Sequence, residues 1–276
     1  MNRRIKEARE KVMEYESHRI IVWENEIGPM LNSASTDSQC KGWKVYCYET
    51  LDSTMAKASE KVGEISSDQN LLILARGQTQ GRGRHGRRWL SAVEGFYGTF
   101  CFATKKPPED IISFPLVAGV AVAELLEDLG CGIKLKWPND VLTQDKEKLS
   151  GILVELNSLS GINYILCGIG INLKGVPKGV NASDLFSLTG RTYTPPHIAI
   201  RLGSALGKMA EEFFRSGFTP FKDRWLQRAT VGSPTTVHVG NNIIPGTFCG
   251  ITDEGHLLLD TEDGLITITS GEVFHR

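Results

Sequence analysis

The sequence lacks a membrane span, a secretory signal and a large net charge. Its longest apolar run, Phe114 to Ala123, is far shorter than the about 20 residues that a membrane helix needs. The N-terminus mixes acidic with basic residues at once and has no apolar segment of the kind that a signal peptide contains. The formal net charge of −1 excludes a general attraction to nucleic acid or to an anionic membrane. These absences predict a cytoplasmic protein with no membrane partner.

The six cysteines and six histidines are scattered and form no metal or redox motif. The sequence contains no C-x-x-C pair, no H-E-x-x-H and no other zinc spacing. Several cysteines lie in apolar runs, as Cys167 does after Ile165 and Leu166, where a thiol behaves as a small hydrophobic group. We therefore expect reduced thiols, a reducing compartment and no tightly bound metal ion.

The pattern along the 276 residues changes twice. We expect residues 1–42 to be an N-terminal extension, with a charged helix over 3–24 and a polar linker over 32–38. Mixed strands and helices predict a larger domain over residues 43–230, and short strands between glycine turns predict a small β-barrel over 231–276. The predicted strands are 43–49, 71–75, 97–103, 149–156, 163–173, 235–239, 244–251, 256–260 and 265–269, and the predicted helices are 52–61, 113–129, 197–215 and 220–229.

One loop concentrates the unusual chemistry of the sequence. The segment Gly81–Trp89 (GRGRHGRRW) holds three glycines, four arginines and one tryptophan. Glycine lets the backbone approach a ligand closely, and arginine offers permanent charge and forked donors suited to carboxylate and phosphate. The pattern indicates a loop that closes over a phosphorylated or adenylated ligand.

Other interpretations of this loop stay open from the residues alone. Gly81, Gly83 and Gly86 match the dinucleotide fingerprint G-x-G-x-x-G, but that motif needs a helix to begin inside it, and no helical stripe follows. A basic nucleic-acid patch has only Trp89 as a stacking platform. A solvated loop would leave four mutually repelling arginines without an anionic partner. A Walker A sequence is absent.

Four motifs in order resemble those of biotin protein ligases. The Gly81–Trp89 loop is similar to their G-R-G-R-x-G-R-x-W, and Lys136–Asp140 matches their K-W-P-N-D. Lys148–Glu155 resembles their K-[LI]-[AS]-G-[IV]-L-[VI]-E, and Gly168–Asn172 resembles their G-x-G-[IL]-N. Ahead of these, Asp52-Ser53-Thr54 matches their D-S-T-N except that Met55 replaces the asparagine. The resemblance covers roughly residues 43–276.

The resemblance implies a fold, a reaction and substrates. The fold is α+β, with a class II synthetase-like catalytic domain on a central mixed sheet and a C-terminal SH3-like barrel. The reaction uses ATP, with Mg²⁺ as its counter-ion, and biotin to form biotinyl-5′-AMP. The biotinyl group then passes to one lysine of a biotin carboxyl carrier domain.

The resemblance also assigns the site residues. The catalytic residues implied are Lys148, Arg82, Arg84 and Asp140. The three cations would stabilise the charge at the reacting phosphate, and Asp140 would orient the acceptor lysine. The biotin-binding residues implied are Ser53, Thr54, Gln78, Gly81, Arg82, Gly83, Arg84, Lys148 and Gly151, and the nucleotide-binding residues implied are Arg84, Arg87, Trp89, Asn139, Lys148 and Asn172.

For several of these residues a plainer structural role stays open. Ser53 and Thr54 also suit the N-cap of a helix, and Trp89 also suits a core position. Asn139 either ligates Mg²⁺ or holds a turn, and Asp140 either orients the acceptor lysine or belongs to that turn.

Partners are expected to be few. We expect no DNA binding, because about 42 residues precede the first predicted core strand and they contain no helix-turn-helix pattern. Both a monomer and a homodimer fit the sequence. Two alternatives to the ligase stay open: a lipoyl or octanoyl ligase of the same fold, and a non-catalytic regulator that binds biotin or nucleotide.

Overall fold

Two sheets and six α-helices organise the part of the chain that the structure describes. The computed structural model describes residues 20–33, 42–90 and 94–275. The helices are α1 (20–33), α2 (Thr54–Lys61), α3 (Phe114–Asp128), α4 (Leu185–Thr189), α5 (Pro195–Ser216) and α6 (Thr219–Leu226). The strands of the larger sheet are β1 (Trp43–Leu51), β2 (Asn70–Gln78), β3 (Glu94–Thr104), β4 (Ile133–Lys136), β5 (Asp140–Thr143), β6 (Lys148–Leu159) and β7 (Ile162–Lys174).

The larger sheet is mixed, as predicted. Its strand order is β1-β2-β3-β7-β6-β5-β4. The pair β1 and β2 is parallel, and every other neighbouring pair is antiparallel. The predicted α+β class with a central mixed sheet is therefore confirmed.

The two faces of this sheet are covered differently. Helix α3 is apolar on nearly all sides because the sheet, α5 and α6 surround it, and its Phe114 ring lies 5.3 Å from that of Phe213 on α5. On the other face the short helix α2 packs against the sheet through Met55 and Ala58. On that face β7 presents Gly168 and Gly170. The small residues leave space above the sheet, and the site lies there.

A second sheet forms the C-terminal part. Its strands are β8 (Pro234–Val239), β9 (Asn242–Ile251), β10 (Leu257–Thr261), β11 (Gly264–Ile268) and β12 (Glu272–His275), in the antiparallel order β11-β10-β9-β8-β12. The Trp137 indole N–H donates to the Gly255 carbonyl at 3.0 Å, across the junction of the two sheets. The predicted all-β tail is present.

The described N-terminal helix continues further along the chain than predicted. Residues 20–33 are helical, so Asn32 and Ser33 belong to α1 and not to a polar linker; residues 3–19 and 34–38 lie outside the described residues. Four buried side chains, Ile20, Trp23, Ile27 and Leu31, join α1 to the main core. Their spacing is that of one apolar helix face.

Helix α1 also covers the free edge of the larger sheet. The Glu24 carboxylate accepts a hydrogen bond from the Cys47 N–H, and the Asn32 side-chain oxygen accepts one from the Trp43 N–H, each at 2.6 Å. Both donors lie on β1, the outermost strand. Side chains of α1 thus pair backbone groups that a neighbouring strand would otherwise need to satisfy.

The hairpin between β6 and β7 is tighter than predicted. Only Ser160 and Gly161 connect the strands, with φ values of 52° and 77°, in place of the expected five-residue turn over 157–161. Two successive left-handed residues match the twist of paired strands, so both strands continue to the turn. No described helix is long and apolar enough to cross a membrane.

Candidate active site

A cavity of about 320 Å³ lies on the α2 face of the larger sheet, within the size range of small-molecule sites. The structure brings almost all of the predicted site residues to its wall: Ser53, Thr54, Gln78, Arg82, Gly83, Arg84, Arg87, Trp89, Asn139, Asp140, Lys148, Gly151 and Asn172. Gly81 is the exception. It is buried, and its carbonyl accepts a hydrogen bond from the Trp89 N–H at 2.8 Å, which closes the base of the loop.

The Gly81–Trp89 loop folds back on itself. The Gly83 N–H donates to the Arg87 carbonyl at 2.8 Å, and the chain reverses at His85 and Gly86, whose φ values are 54° and 72°. Gly86 takes this left-handed conformation without the cost that a side chain adds. No α-helix begins within the loop, so the dinucleotide fingerprint interpretation is wrong.

The loop arginines are held by partners from distant parts of the chain. Arg82 pairs with Glu155 of β6 at 2.6 Å. Arg84 donates to the Gly271 carbonyl at 3.1 Å, and Arg87 pairs with Glu272. Gly271 and Glu272 belong to the C-terminal part of the chain, so the second sheet helps to position the loop over the cavity.

Arg84 is the most shielded of these charges. Burial lowers the pKa of its guanidinium, as does Arg87, while the carboxylate of Asp140 acts in the opposite direction. A guanidinium stays protonated at neutral pH even with such a shift. Arg84 is therefore a fixed cation with little water around it, which suits an anionic ligand.

The Trp89 ring lies against a pair of glycines. Gly151 and Gly170 face each other across β6 and β7, and a Cβ at either position would approach the indole ring within 2.7 Å and 2.6 Å. The Trp89 indole nitrogen is buried and has no hydrogen-bond partner within the described ranges. The Lys148 ammonium lies 5.5 Å from the ring centroid, within cation–π distance. The two glycines thus leave room for the tryptophan that closes the loop.

One end of the cavity is neutral and polar. The Gln78 side-chain oxygen accepts from the Thr54 N–H at 2.8 Å and from its hydroxyl at 3.1 Å. Thr54 in turn accepts from the Thr99 hydroxyl at 2.9 Å. The Ser53 hydroxyl is buried and has no partner among the described residues. Ser53 stands at the N-cap position of α2 without a side-chain capping bond, so its hydroxyl is free to bind a ligand.

The other end is charged. Asp140 binds two lysines, one with each oxygen: Lys148 at 2.5 Å and Lys136 at 2.7 Å. Burial alone would raise the pKa of the Asp140 carboxyl, but the charges and hydrogen bonds of Lys148 and Lys136 outweigh it and hold the pKa below its usual value. Asp140 is therefore an ionised carboxylate at neutral pH.

The two asparagines have clear structural partners. The side-chain N–H of Asn139 donates to the Ile152 carbonyl at 2.7 Å, and the main-chain carbonyl of Asn139 accepts from the Ile152 N–H at 3.1 Å. Asn139 therefore holds the turn before β5. Asn172 is buried and donates to the carbonyls of Lys148 and Ser183 at 3.3 Å and 3.0 Å. Asn172 thus fixes the backbone at Lys148, and Asn139 fixes the backbone at Ile152 further along β6.

Several lining residues were not predicted. Glu272 comes from β12, Lys136 lies opposite Asp140 in the β4–β5 hairpin, and residues 180–182 approach Lys148 through the Lys148–Ala182 bridge. Met55 fills the position beside Gly168. The K-W-P-N-D spacing could have indicated Lys136, because it places a lysine across a tight turn from the aspartate. Nothing local in the sequence indicates Glu272.

No metal centre is evident in the described ranges. No group of three or more His, Cys, Asp or Glu side chains is placed there to hold a metal ion. Mg²⁺ commonly reaches such sites on nucleotide phosphates, with few protein ligands.

Two family models match the sequence. The biotin/lipoate A/B protein ligase family matches residues 47–172, and the biotin protein ligase C-terminal domain matches residues 230–276. The chain is 33% identical to a biotin–[acetyl-CoA-carboxylase] ligase of Paracoccus denitrificans, an alignment that covers 81% of this chain and 97% of that protein. It is 32% identical to a bifunctional ligase/repressor of Escherichia coli, over 86% of this chain and 75% of that protein.

Solved structures give the same result. The biotin protein ligase from Aquifex aeolicus in complex with biotin and ATP superposes with a TM-score of 0.71 at 31% identity, covering 84% of this chain and 98% of that one. A biotin acetyl coenzyme A carboxylase synthetase from Helicobacter pylori with bound biotinylated ATP has a TM-score of 0.57 at 21% identity, over 83% of this chain and 100% of that one, and shows the shared fold.

Proposed function

The chain belongs to the biotin protein ligase family, and we propose on this premise how its residues carry out the reaction. The enzyme forms biotinyl-5′-AMP from biotin and ATP and transfers biotin to a carboxylase. The observation that carries the assignment of residues is the meeting of the Gly81–Trp89 loop, Lys148 and a neutral polar end in one cavity.

Biotin occupies the neutral end in this proposal. The unpartnered Ser53 hydroxyl, together with Thr54 and Gln78, offers the polar groups that a ureido ring needs in an otherwise apolar pocket. The biotin carboxylate then points toward Lys148 and the loop arginines. Met55, which stands where the family motif has asparagine, supplies an apolar contact and no hydrogen bond.

The first step joins two anions. A biotin carboxylate oxygen attacks the α-phosphorus of ATP, the bond from that phosphorus to the bridging oxygen breaks, and pyrophosphate leaves with the electron pair. Charge builds at the phosphorus, and fixed cations lower the barrier by stabilising it. Lys148, Arg84, Arg82 and Arg87 all line the cavity and can supply this charge. Mg²⁺ arrives with ATP and neutralises part of the triphosphate charge.

The loop protects the adenylate from water. Biotinyl-5′-AMP is a mixed anhydride that water hydrolyses, so a closed site favours transfer over loss. The contacts of Arg84 with Gly271 and of Arg87 with Glu272 hold the loop over the cavity, and Trp89 closes it from inside.

The second step transfers the acyl group. The ε-amine of the acceptor lysine attacks the biotinyl carbonyl carbon, the amide C–N bond forms, the C–O bond to phosphate breaks, and AMP leaves with the electron pair. Because the lysine begins as an ammonium ion, two protons pass to solvent overall. Asp140 attracts the ammonium as an ionised carboxylate at the wall of the cavity, and its lowered pKa makes it a poor general base.

Two features favour biotin over lipoate. The C-terminal domain is of the biotin protein ligase type, and its Glu272 contacts Arg87 of the Gly81–Trp89 loop. The acceptor is a biotin carrier domain of a carboxylase.

A cytoplasmic location is supported by the five described cysteines, which form no disulfide.

Pyrophosphate release with a carrier domain present tests the proposal. The protein is mixed with ATP and Mg²⁺ and with biotin, lipoate or neither, and the carrier domain is then weighed by mass spectrometry. We expect release only with biotin and one biotin amide on the carrier. Release with lipoate alone would assign the protein to the lipoyl branch, and binding of biotin without release would indicate a regulator.

A further inference from the structure

Asp140 is shared by two lysines that differ in their surroundings. Lys136 is fixed directly opposite Asp140 by the register of the β4–β5 hairpin, across the Trp137–Pro138 turn. Lys148 comes from the start of β6, its side chain is 36% exposed against 23% for Lys136, and it also contacts the Trp89 ring. Lys148 is therefore the partner that an entering ligand reaches more easily.

The pair of lysines gives this wall an excess of positive charge. Asp140 neutralises one of the two ammonium groups, and its own side chain is only 14% exposed. Biotin and ATP both bring negative charge to Lys148. When Lys148 turns toward them, a largely buried carboxylate would lose its principal counter-ion, and an unpaired buried charge is unfavourable.

We propose that Lys136 is a positioning residue that keeps Asp140 in place through Oδ2 while Lys148 binds the substrates. Oδ1 is then the atom that receives the ammonium of the acceptor lysine, in the position that Lys148 has left. One lysine of the enzyme and one lysine of the carrier occupy the same carboxylate oxygen in turn, so the charge of the wall is conserved. The inference rests on the proposed ligase function.

This role separates the two half-reactions. Lys136 makes its 2.7 Å contact with the acceptor end of the site, so its loss should disturb transfer far more than adenylate formation. A neutral nucleophile needs no carboxylate to attract it. Hydroxylamine, which attacks the adenylate directly, should therefore react equally well in the presence or absence of Lys136.

The test compares Lys136→Gln with Lys136→Arg and with the control Lys134→Gln. Lys134 lies two residues earlier on the same face of β4 and does not line the cavity. Adenylate formation is measured by rapid quench with biotin and MgATP. Transfer is measured as a single turnover from the isolated enzyme–adenylate to a biotin carrier domain or to hydroxylamine.

We expect Lys136→Gln to slow transfer to the carrier by roughly 10- to 100-fold, the range that misplacement of a site group by about 1 Å produces. Its adenylate formation and its reaction with hydroxylamine should stay near wild type. Lys136→Arg should restore most of the transfer rate because it keeps the charge, and Lys134→Gln should match wild type throughout.

Three outcomes overturn the inference. Equal losses in both half-reactions of Lys136→Gln would show a general structural or phosphate-binding role, and slowed hydroxylamine attack would show that the adenylate itself is misplaced. Unchanged transfer would show that Asp140 needs no second lysine. If wild type forms no biotinyl-5′-AMP, the proposed function fails as well, which distinguishes that failure from the others.

Discussion

Gly170→Ala tests whether the two glycines beneath Trp89, Gly151 and Gly170, determine how tightly the Gly81–Trp89 loop closes over the cavity. An alanine Cβ would lie 2.6–2.9 Å from the Trp89 ring, closer than real contacts allow, while the strand itself accepts alanine readily. The ring is at the end of a loop side chain, so it should move and the sheet should not. We expect the global unfolding midpoint to change little and the loop to open more often.

The size of the effect follows from the burial of the indole. Trp89 is half-buried, and complete burial of a large apolar side chain contributes about 1.5–3 kcal/mol, so displacing this ring costs about 1 kcal/mol. That energy corresponds to about a fivefold change in the ratio of open to closed loop. The adenylate should leave Gly170→Ala about five times faster than wild type.

Release of pre-formed biotinyl-5′-AMP from desalted enzyme measures this rate. A double-mutant cycle with Trp89→Ala provides the control, since Gly170→Ala should have no further effect once the ring is absent. Release that is equally accelerated in both backgrounds would refute the steric explanation, as would an unchanged rate in the single variant.

Three further predictions follow from the charged end. Arg84→Gly should remove the contact with Gly271 and let adenylate escape, so bystander lysines become biotinylated; unchanged selectivity in a peptide map would contradict this. Lys148→Ala should lose adenylate formation by about 100-fold or more while the chain still folds, and wild-type turnover would remove it from the mechanism. Asp140 has a lowered pKa in the folded state, so its contribution to stability is complete above the unfolded pKa of about 3.9 and declines as pH falls toward the lower folded value. Acid titration should therefore show less loss of stability between pH 5 and pH 2 in Asp140→Asn, and identical slopes would contradict the assignment.

The elements of the larger domain were predictable where the sequence contains a long apolar run. The apolar run of α3 and the long strands β6 and β7 lie close to their predicted bounds. The strands β5 and β12 have four residues each and the helix α4 has five, too few for a periodic pattern to appear. The predicted N-terminal helix over 3–24 followed charge and missed the face of α1 formed by Ile27 and Leu31.

The residues of the candidate site also fall into those that the sequence could predict and those that it could not. Motifs placed the loop, Lys148 and Asp140 in one cavity, because each motif lies at the end of a strand in the same sheet. Glu272 could not be found, since its contact with Arg87 joins residues 185 positions apart and depends on the packing of the second sheet. Asn139 had two open roles, and only the bond of its amide to the Ile152 carbonyl favours the turn. The assigned roles of the remaining site residues stay predictions.

Helix α1 has a practical consequence for handling this protein. A preparation trimmed to begin at the first strand of the sheet would lack Glu24 and Asn32. It would also lack the buried apolar face of α1, so the core residues that this face covers would be exposed to water. The exposed border of β1 would then offer its N–H groups to another molecule, which is the usual route to strand-mediated aggregation. Low yield or visible precipitation after such trimming would reflect aggregation through β1, and it would carry no information about biotin chemistry.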